Sequence, residues 1–371
     1  TITNAAPTIT VSGVGTIIAG ASYTVNLGVT DPGADTVTSW VVNWGDGTID
    51  TIAGNPSTAS HTYDSVRSYN VTASVLDEDG TFSSGDVLVA MNTGGAVDGF
   101  DGNSGDLLRT FADAALGNPI GVAVGPDGQM YASGLAANTV VRFDLSTGLV
   151  IDTFVTAGSG GLASPTGLTF AANGDLLVAS LGTNSIKRYA AADGAYIGEF
   201  VAAGGDGVTA PLDMTHDRAG DLYVSSWTTG EIRRYDPTGA YVETFVASGL
   251  TQTTGLAFGD NGNLYAADFA GLTPGIHEFD GATGAAVGQV LSLASPSSVR
   301  FGPDGNLYVA SSTLDVVNVY DATGTFIRTH SDAADAVASP YLIDFEPAHQ
   351  VAVTAIEAVS YTHLTLPTNT V

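Results

Sequence analysis

Residues 302–310 read GPDGNLYVA, and this segment recurs along the chain with small changes. The most similar copies are GPDGQMYAS at 125–133 and GDNGNLYAA at 259–267. Each copy has a turn glycine followed by a short apolar run. Glycine adopts the positive φ of a tight hairpin without strain. The stretch therefore predicts two antiparallel strands joined by a tight turn, repeated several times.

Two series of turn glycines give the period of the repeat. The first series, Gly128, Gly174, Gly220, Gly262 and Gly305, has spacings of 46, 46, 42 and 43 residues. The second series, Gly105, Gly148, Gly194, Gly239, Gly284 and Gly324, has spacings of 43, 46, 45, 45 and 40 residues. A period of about 40–50 residues with four strands per unit is typical of a β-propeller. The count predicts six blades.

The third strand of every predicted blade ends in an aromatic residue. These residues are Phe100, Phe143, Tyr189, Tyr235, Phe279 and Tyr320, and five of the six are followed by aspartate. A ring at the same register in every blade indicates a packing layer between neighbouring blades. We therefore do not expect these rings to stack on a ligand.

The repeated segment resembles NHL repeats and the related propeller of the virginiamycin B lyase family. The resemblance rests on the three quoted stretches and covers residues 94–356. It implies a six-bladed β-propeller. It does not imply an activity, because such repeats occur in scaffolds, sensors and enzymes alike.

Residues 1–91 lack the repeat and show short alternating strands at 9–11, 22–29, 37–44, 69–76 and 86–91. This pattern predicts a β-sandwich. The motifs Trp44-Gly45-Asp46-Gly47, His61-Thr62-Tyr63 and Asp77-Glu78-Asp79-Gly80 resemble the PKD domain, an immunoglobulin-like module of bacterial and archaeal surface proteins and secreted hydrolases. The residue types predict that Trp44 supplies a buried ring and that Asp46 accepts backbone N–H bonds in its turn.

The expected division is a PKD-like sandwich at 1–92, a propeller at 93–357 and a non-native tail at 358–371. Residues 87–90 are ambiguous, since they also align with a blade strand at 307–310. We assign them to the sandwich. The ring then closes with two strands from each end of the propeller, the last two being 342–345 and 351–354.

Both ends of the chain indicate a fragment. The chain begins at Thr1, and VSYTHLTLPT at 359–368 resembles a translated sequencing-adapter read-through of the kind found in metagenomic assemblies. We therefore expect a piece of a large secreted or surface-attached bacterial protein.

The charge balance restricts the partners. Of 371 residues, 10 are Lys or Arg and 38 are Asp or Glu, for a formal net charge of -28, and cysteine is absent. Such a field repels nucleic acid and anionic membranes, and the absence of cysteine excludes disulfides and thiolate sites. We expect an extracellular glycan or protein as partner, no nucleic acid, no membrane insertion in this fragment, and a monomer.

The candidate ligand site lies at the channel mouth, on the face that carries the loops between blades. Trp227 and Phe269, in neighbouring blades, are predicted to form an aromatic platform for a sugar or peptide. Four polar candidates share that face: Asn138, Asn184, Asp268 and Asp315. Ordinary loop packing is the alternative for all six residues.

Three other groups of residues invite a functional interpretation. Asp77 and Asp79 are weak calcium candidates against a solvated turn, since the ligands of a calcium loop do not follow them. His216 is predicted to be a hydrogen-bonded core histidine, and Arg300 to pair with Asp344 across a blade boundary. Five cationic residues on third strands are expected to pair with neighbouring carboxylates; they are Arg142, Lys187, Arg188, Arg233 and Arg234.

No catalytic constellation emerges from the motifs. The only adjacent His and Glu are His277 and Glu278, which point to opposite faces of a strand. We therefore expect a non-catalytic binding or display module without a cofactor, calcium being the alternative. A metal-dependent lyase or hydrolase acting at the channel mouth and a passive spacer are the rival functions.

Overall fold

The structure is a computed structural model that describes residues 8–14, 16–30, 36–46, 48–65, 68–76, 81–83, 86–102, 105–145, 147–204, 207–335, 337–346 and 351–356. The chain divides into two compact units, Thr1–Ser84 with His349–Val371, and Gly85–Ala348. The described part is almost entirely β-structure. Three short 3-10 turns interrupt it at Ser159–Gly161, Leu181–Thr183 and Ala333–Asp335. The predicted non-native tail lies outside the described residues.

The first unit begins with eight strands. They are β1 (Thr8–Gly13), β2 (Thr16–Ile18), β3 (Ser22–Thr30), β4 (Ser39–Asn43), β5 (Ile49–Ala53), β6 (Thr58–Thr62), β7 (Ser68–Leu76) and β8 (Thr81–Ser83).

The second unit contributes the next 24 described strands, in four-strand groups after the first three. The first three are β9 (Val87–Met91), β10 (Ala96–Phe100) and β11 (Leu107–Ala112). The next two groups are β12 (Pro119–Val124), β13 (Met130–Gly134), β14 (Thr139–Phe143) and β15 (Val150–Val155), then β16 (Pro165–Phe170), β17 (Leu176–Ser180), β18 (Ser185–Tyr189) and β19 (Tyr196–Val201). The last three groups are β20 (Pro211–His216), β21 (Leu222–Ser226), β22 (Ile232–Tyr235) and β23 (Tyr241–Val246); β24 (Thr253–Phe258), β25 (Leu264–Asp268), β26 (Gly275–Phe279) and β27 (Ala286–Ser292); and β28 (Pro296–Phe301), β29 (Leu307–Ser311), β30 (Val316–Tyr320) and β31 (Phe326–Ser331), followed by the closing strand β32 (Pro340–Phe345).

A last strand, β33 (Val351–Ile356), returns to the first unit. That unit has two sheets, one ordered β1-β3-β6 and one ordered β2-β33-β7-β4-β5, with β8 beside β7. Strand β33 runs antiparallel to β7 and parallel to β2. The predicted sandwich is therefore present, and a segment from the far end of the sequence completes one of its sheets.

The sandwich core is built around the PKD-like motif. Trp44 is fully buried and donates its Nε1–H to Asp50 at 2.8 Å. His61 stacks on its ring, with centroids 5.0 Å apart, and bonds Asp46 at 2.7 Å. Asp46 also accepts the backbone N–H of Thr48 at 2.8 Å. The predicted framework roles of Trp44 and Asp46 are confirmed.

The second unit is a six-bladed β-propeller in its described residues. Blade 1 has the strand order β11-β10-β9-β32, and blades 2 to 6 take β12–β15, β16–β19, β20–β23, β24–β27 and β28–β31. The innermost strands contact one another in sequence, and β32 contacts both β28 and β12. The predicted fold is confirmed, and residues 342–345 close the ring as predicted.

Two predicted strand assignments are wrong. Strand β9 at 87–91 pairs with β10 and β32 in blade 1, not with the sandwich. Strand β33 at 351–356 pairs in the sandwich, not in the closing blade. Blade 1 therefore takes three strands from before the other blades and one from after them. Both segments are short apolar runs, so their local pattern fits either sheet equally well.

The apolar core of the propeller lies between the blades. All six third-strand aromatics are buried, as predicted; they are Phe100, Phe143, Tyr189, Tyr235, Phe279 and Tyr320. At the closing boundary, Val89 and Ile343 of blade 1 pack with Tyr308 and Val317 of blade 6. Each sheet thus covers the apolar face of the next one.

We predict that Ile343→Ala lowers the free energy of unfolding by about 2–5 kcal/mol, because it leaves a cavity in the closing blade. Ile343 is fully buried, whereas Ile327 on β31 is half exposed. Ile327→Ala is the matched control, with an expected change below about 0.5 kcal/mol. Urea unfolding of the full chain measures both. Equal effects would contradict the place of β32 in blade 1.

Three charged residues meet where the chain enters and leaves the propeller. Arg109 lies 3.1 Å from a carboxylate oxygen of Asp86 and 3.2 Å from one of Glu346. Burial raises the pKa of Glu346 to about 7; Arg109 opposes this shift and Asp86 adds to it. One arginine therefore does not compensate two half-buried carboxylates at neutral pH.

We predict that Glu346→Gln stabilises the protein at pH 8 by on the order of 1–3 kcal/mol. The pKa of Glu346 in the folded state lies above the ordinary value of 4.5. The folded state therefore binds more protons than the unfolded state between about pH 4.5 and 7. The wild type therefore loses stability relative to the variant as the pH rises through this window. Thermal unfolding at several pH values measures the difference.

The exposed Glu243 supplies the control. Its carboxylate pairs with Arg234 at the surface, so Glu243→Gln is expected to change stability by less than about 1 kcal/mol at every pH. A Glu346→Gln effect that does not grow between pH 4.5 and 8 would rule out the proposed electrostatic origin.

Candidate functional site

One residue of each blade forms a ring on the face that carries the loops between second and third strands. We call this ring the loop-face rim: Asn92, Leu135, Leu181, Trp227, Phe269 and Ser312. All six residues are half exposed and follow the second strand of their blade. The backbone N–H of each donates to a carbonyl oxygen just before an innermost strand, at 2.9–3.3 Å. The backbone of the rim is therefore uniform, and only its side chains differ.

The acceptor residues have an unusual backbone. In the order of the rim they are Ser339, Asn118, Ser164, Ala210, Gln252 and Ser295. All but Gln252 precede a proline and have φ of 45–52°. Left-handed non-glycine residues carry strain and often mark functional sites. Because the strain recurs in five blades, we attribute it to the repeat rather than to one site.

Trp227 and Phe269 meet as predicted. Their ring centroids lie 5.1 Å apart at an angle of 61°, a favourable edge-to-face arrangement. With Leu135 and Leu181 they give the rim four consecutive apolar residues, opposite the polar Ser312 and Asn92. The rim is thus apolar on one side and polar on the other. Ligand binding at the aromatic pair stays a prediction.

Three of the predicted polar candidates join neighbouring blades. The side-chain oxygens of Asn138, Asn184 and Asp315 accept the backbone N–H groups of Ser164, Ala210 and Ser339 at 2.6–2.7 Å. All three have φ of 54–59°. These oxygens hold the loop of the next blade, so a ligand would meet only the remaining atoms of the three side chains.

Asp268 lies beside the aromatic pair but faces inward. It is only 2% exposed, and its Oδ1 accepts the N–H groups of Thr251 and Gln252 at 3.1 and 2.9 Å. Gln252 in turn accepts the N–H of Phe269. Asp268 therefore fixes the loop against which Phe269 is held, and its role as a ligand contact stays a prediction.

The predicted calcium candidates Asp77 and Asp79 lie outside the described residues. Within the described ranges, no three His, Asp or Glu side chains converge in a way that would hold a metal ion. The same part of the chain contains no helix with the length and apolar character needed to cross a bilayer.

The central channel contains an ion pair that differs from the predicted one. Arg300 on β28 makes a two-point contact with Asp213 on β20, at 2.8 and 3.1 Å. The predicted direct ion pair with Asp344 is wrong, since Asp344 accepts the N–H of Val124 at 3.1 Å instead. Burial raises the pKa of Asp344, and the charge of Arg300 opposes that shift. The blade between β20 and β28 has only Gly255 and Ala257 at the corresponding positions, so the arginine can reach past it.

The five cationic residues on third strands are paired as predicted. The pairs are Arg142–Asp152, Lys187–Glu199, Arg188–Asp175, Arg233–Glu231 and Arg234–Asp221, with distances of 2.6–3.4 Å. They do not form a free basic stripe.

We predict that Arg300→Met destabilises the protein by about 3–5 kcal/mol, because it leaves the fully buried Asp213 without its counter-ion. Adding Asp213→Asn is expected to recover about half of that loss. Arg234→Met, which breaks a more exposed pair, is the control and is expected to cost about 1 kcal/mol or less. Chemical unfolding measures all three. The Asp213→Asn single variant completes the cycle, and single effects that add up to that of the double variant would show that the two groups do not interact.

A cleft that the sequence interpretation missed opens on the opposite face, at the first hairpins of blades 3 and 4. It has a volume of about 530 Å³, and Asn173, Arg188, Phe200 and His216 are among its lining residues. His216 lies 3.4 Å from Thr169 Oγ1, so it is hydrogen-bonded as predicted, but it is half buried at the wall of the cleft. One feature of the sequence could have indicated this cleft: Leu177 stands where four other blades have tyrosine.

The comparisons agree with this architecture. Residues 4–91 match the PKD domain. This match includes β9, the strand that the structure places in blade 1. A comparison with curated proteins found no match.

Two solved structures are similar to the chain. A protein of unknown function from Bacteroides caccae has a TM-score of 0.56 at 15% identity, covering 70% of this chain and 98% of that chain. Catalytically inactive virginiamycin B lyase from Staphylococcus aureus with quinupristin has a TM-score of 0.50 at 14% identity, covering 90% and 98%. The resemblance to this propeller is therefore confirmed. At such identities it shows the fold alone.

Proposed function

We propose that the chain is a non-catalytic binding and display module of a secreted or cell-surface bacterial protein, and that its loop-face rim holds an extracellular ligand. The PKD domain supports an extracellular-type binding module. The observation that carries the site is the half-exposed Trp227–Phe269 pair, with ring centroids 5.1 Å apart. This binding requires no cofactor.

A neutral glycan is the ligand that fits this rim best. The apolar face of a sugar ring packs on aromatic side chains, and Trp227 and Phe269 offer two of them. The net charge of -28 disfavours anionic ligands without opposing a neutral sugar. The backbone N–H groups of Trp227 and Phe269 are both hydrogen-bonded at 2.9 Å, and such pre-organisation of the two rings reduces the entropy lost on binding.

A protein ligand is the second candidate, and the apolar extent of the rim favours it. Leu135 and Leu181 continue the apolar surface across two further blades. A partner with an apolar segment would contact all four residues, whereas a short glycan would contact the aromatic pair alone. The leucines therefore distinguish the two ligand classes.

We predict that Trp227→Ala and Phe269→Ala each weaken glycan binding by about tenfold or more, as expected for an aromatic anchor of a binding site. The full chain is screened on a glycan array, and the affinity for the strongest neutral glycan is measured by calorimetry. Leu149→Ala, which removes a surface residue that is 68% exposed in a distant hairpin, is the control and is expected to bind normally.

Variants of the two rim leucines distinguish a glycan ligand from a protein ligand. Unchanged glycan binding in Leu135→Ala and Leu181→Ala would favour the glycan, while loss of a protein partner in the same variants would favour the second candidate. Full glycan affinity in both aromatic variants would remove the rim from the proposal. Circular dichroism shows whether each variant is folded.

A further inference from the structure

A tyrosine fills the same inter-blade position at four of the six blade boundaries. It meets a phenylalanine of the next blade edge-on, with centroids 4.9–5.1 Å apart. The pairs are Tyr131–Phe170, Tyr223–Phe258, Tyr265–Phe301 and Tyr308–Phe345. This contact closes the space between neighbouring blades on the face of the first hairpins.

The surroundings of Tyr131 show what such a ring requires. Phe154 of the same blade contacts it edge-on at 5.1 Å, and the guanidinium of Arg142 lies 6.0 Å from its centroid. Its hydroxyl donates to Asp127 of the hairpin turn at 2.8 Å. With Phe170 of the next blade, the ring has four partners. Tyr223 repeats the pattern with Phe245, Phe258, Arg234 and Asp217.

The boundary between blades 3 and 4 keeps two of the four partner types, an arginine and a phenylalanine, but lacks the tyrosine itself. Leu177 occupies its register, opposite Arg188 as Tyr131 is opposite Arg142. Phe200 stands at the position of Phe154, Asn173 at that of Asp127, and His216 at that of Phe170. Together with Arg188, these three residues line the cleft of about 530 Å³. Leu177 itself is fully buried in the core between blades 3 and 4, so the cleft is the space that a tyrosine ring would need beyond the shorter leucine.

The polar groups of the cleft have unused hydrogen-bonding capacity. Among the described residues, the Nε2 of His216 and the Nη1 of Arg188 have no hydrogen-bond partner, while Nε and Nη2 of Arg188 bind Asp175 at 2.8 and 2.7 Å. Burial lowers the pKa of His216, which keeps its ring neutral at pH 7. Asp175 balances the charge of Arg188. The cleft thus combines one free nitrogen on each of His216 and Arg188 with the aromatic wall of Phe170 and Phe200.

We propose that this cleft binds the phenolic ring of a ligand, in the position that a tyrosine fills in four other blades. Phe200 and His216 would contact the ring, and Arg188 would lie over it. The hydroxyl would donate to Asn173 Oδ1, which has a second lone pair beside the one that accepts the N–H of Asp175 at 3.3 Å. The volume is within the range of about 300–1,000 Å³ that is typical of small-molecule sites. The ring comes from a free phenol or from a tyrosine side chain, which share this chemistry. The site is independent of the loop-face rim.

The test uses p-cresol, the isolated side chain of tyrosine, with the full chain labelled with ¹³C-histidine. The chain has only six histidines, so the ring signals of His216 are assignable from His216→Gln. We expect saturable shifts of the His216 signals on titration with p-cresol. Toluene, which lacks the hydroxyl, is expected to bind about three- to tenfold more weakly. Absence of p-cresol shifts at His216, or equal binding of toluene, overturns the proposal.

A second experiment uses a variant that restores the tyrosine of the repeat. In Leu177→Tyr the new ring fills the cleft, so p-cresol binding is expected to be lost while the protein remains folded. Where this variant fails to fold, Leu177→Tyr/His216→Phe restores the Tyr–Phe contact and is tested in its place, with binding followed on the p-cresol signals because this variant has no His216 signal. Undiminished binding in a folded variant contradicts the proposal. N-acetyltyrosinamide binding as well as p-cresol indicates a tyrosine side chain as the source of the ring, and its exclusion indicates a free phenol.

Discussion

Each four-stranded blade has two apolar faces, and covering both of them is the constraint on which the propeller depends. Blades stacked in an open row would leave an apolar face exposed at each end of the row, whereas blades closed into a ring leave no such face exposed. The contact of β32 with β28 and β12 completes that ring. Because β32 comes from the far end of the unit, burial of Val89 and Ile343 requires the chain to return to its starting point.

Uniform packing between blades allows the side chains at the two faces to vary. On the loop face, the same backbone hydrogen bond recurs in all six blades while the rim residue changes from Asn92 to Trp227. On the hairpin face, the Tyr–Phe contact recurs at four boundaries and is replaced by Leu177 and His216 at one of the others. In a repeat protein such departures identify positions that the framework does not constrain, and both proposed sites consist of them.

The ion pairs of the propeller join strands of one blade or link different blades of the ring. The cationic side chains of the third strands are paired within their own blades, and Arg300 spans an intervening blade to reach Asp213. The sequence has 38 acidic residues and only 10 Lys or Arg, so ion pairing cannot neutralise the chain. The surface therefore stays strongly acidic, which is consistent with neutral ligands at both proposed sites.

The number of blades, the sandwich, the buried aromatic register and the contact of Trp227 with Phe269 could all be predicted from the amino-acid sequence, because glycine turns and strand periodicity are local signals. The sheets that the segments 87–91 and 351–356 join became evident from the folded chain, since the apolar pattern of each segment is compatible with either sheet. The folded chain also showed the partner of Arg300 and the opening beside His216. Those outcomes depend on distances between distant strands and on the small size of Gly255 and Ala257, which no local pattern encodes.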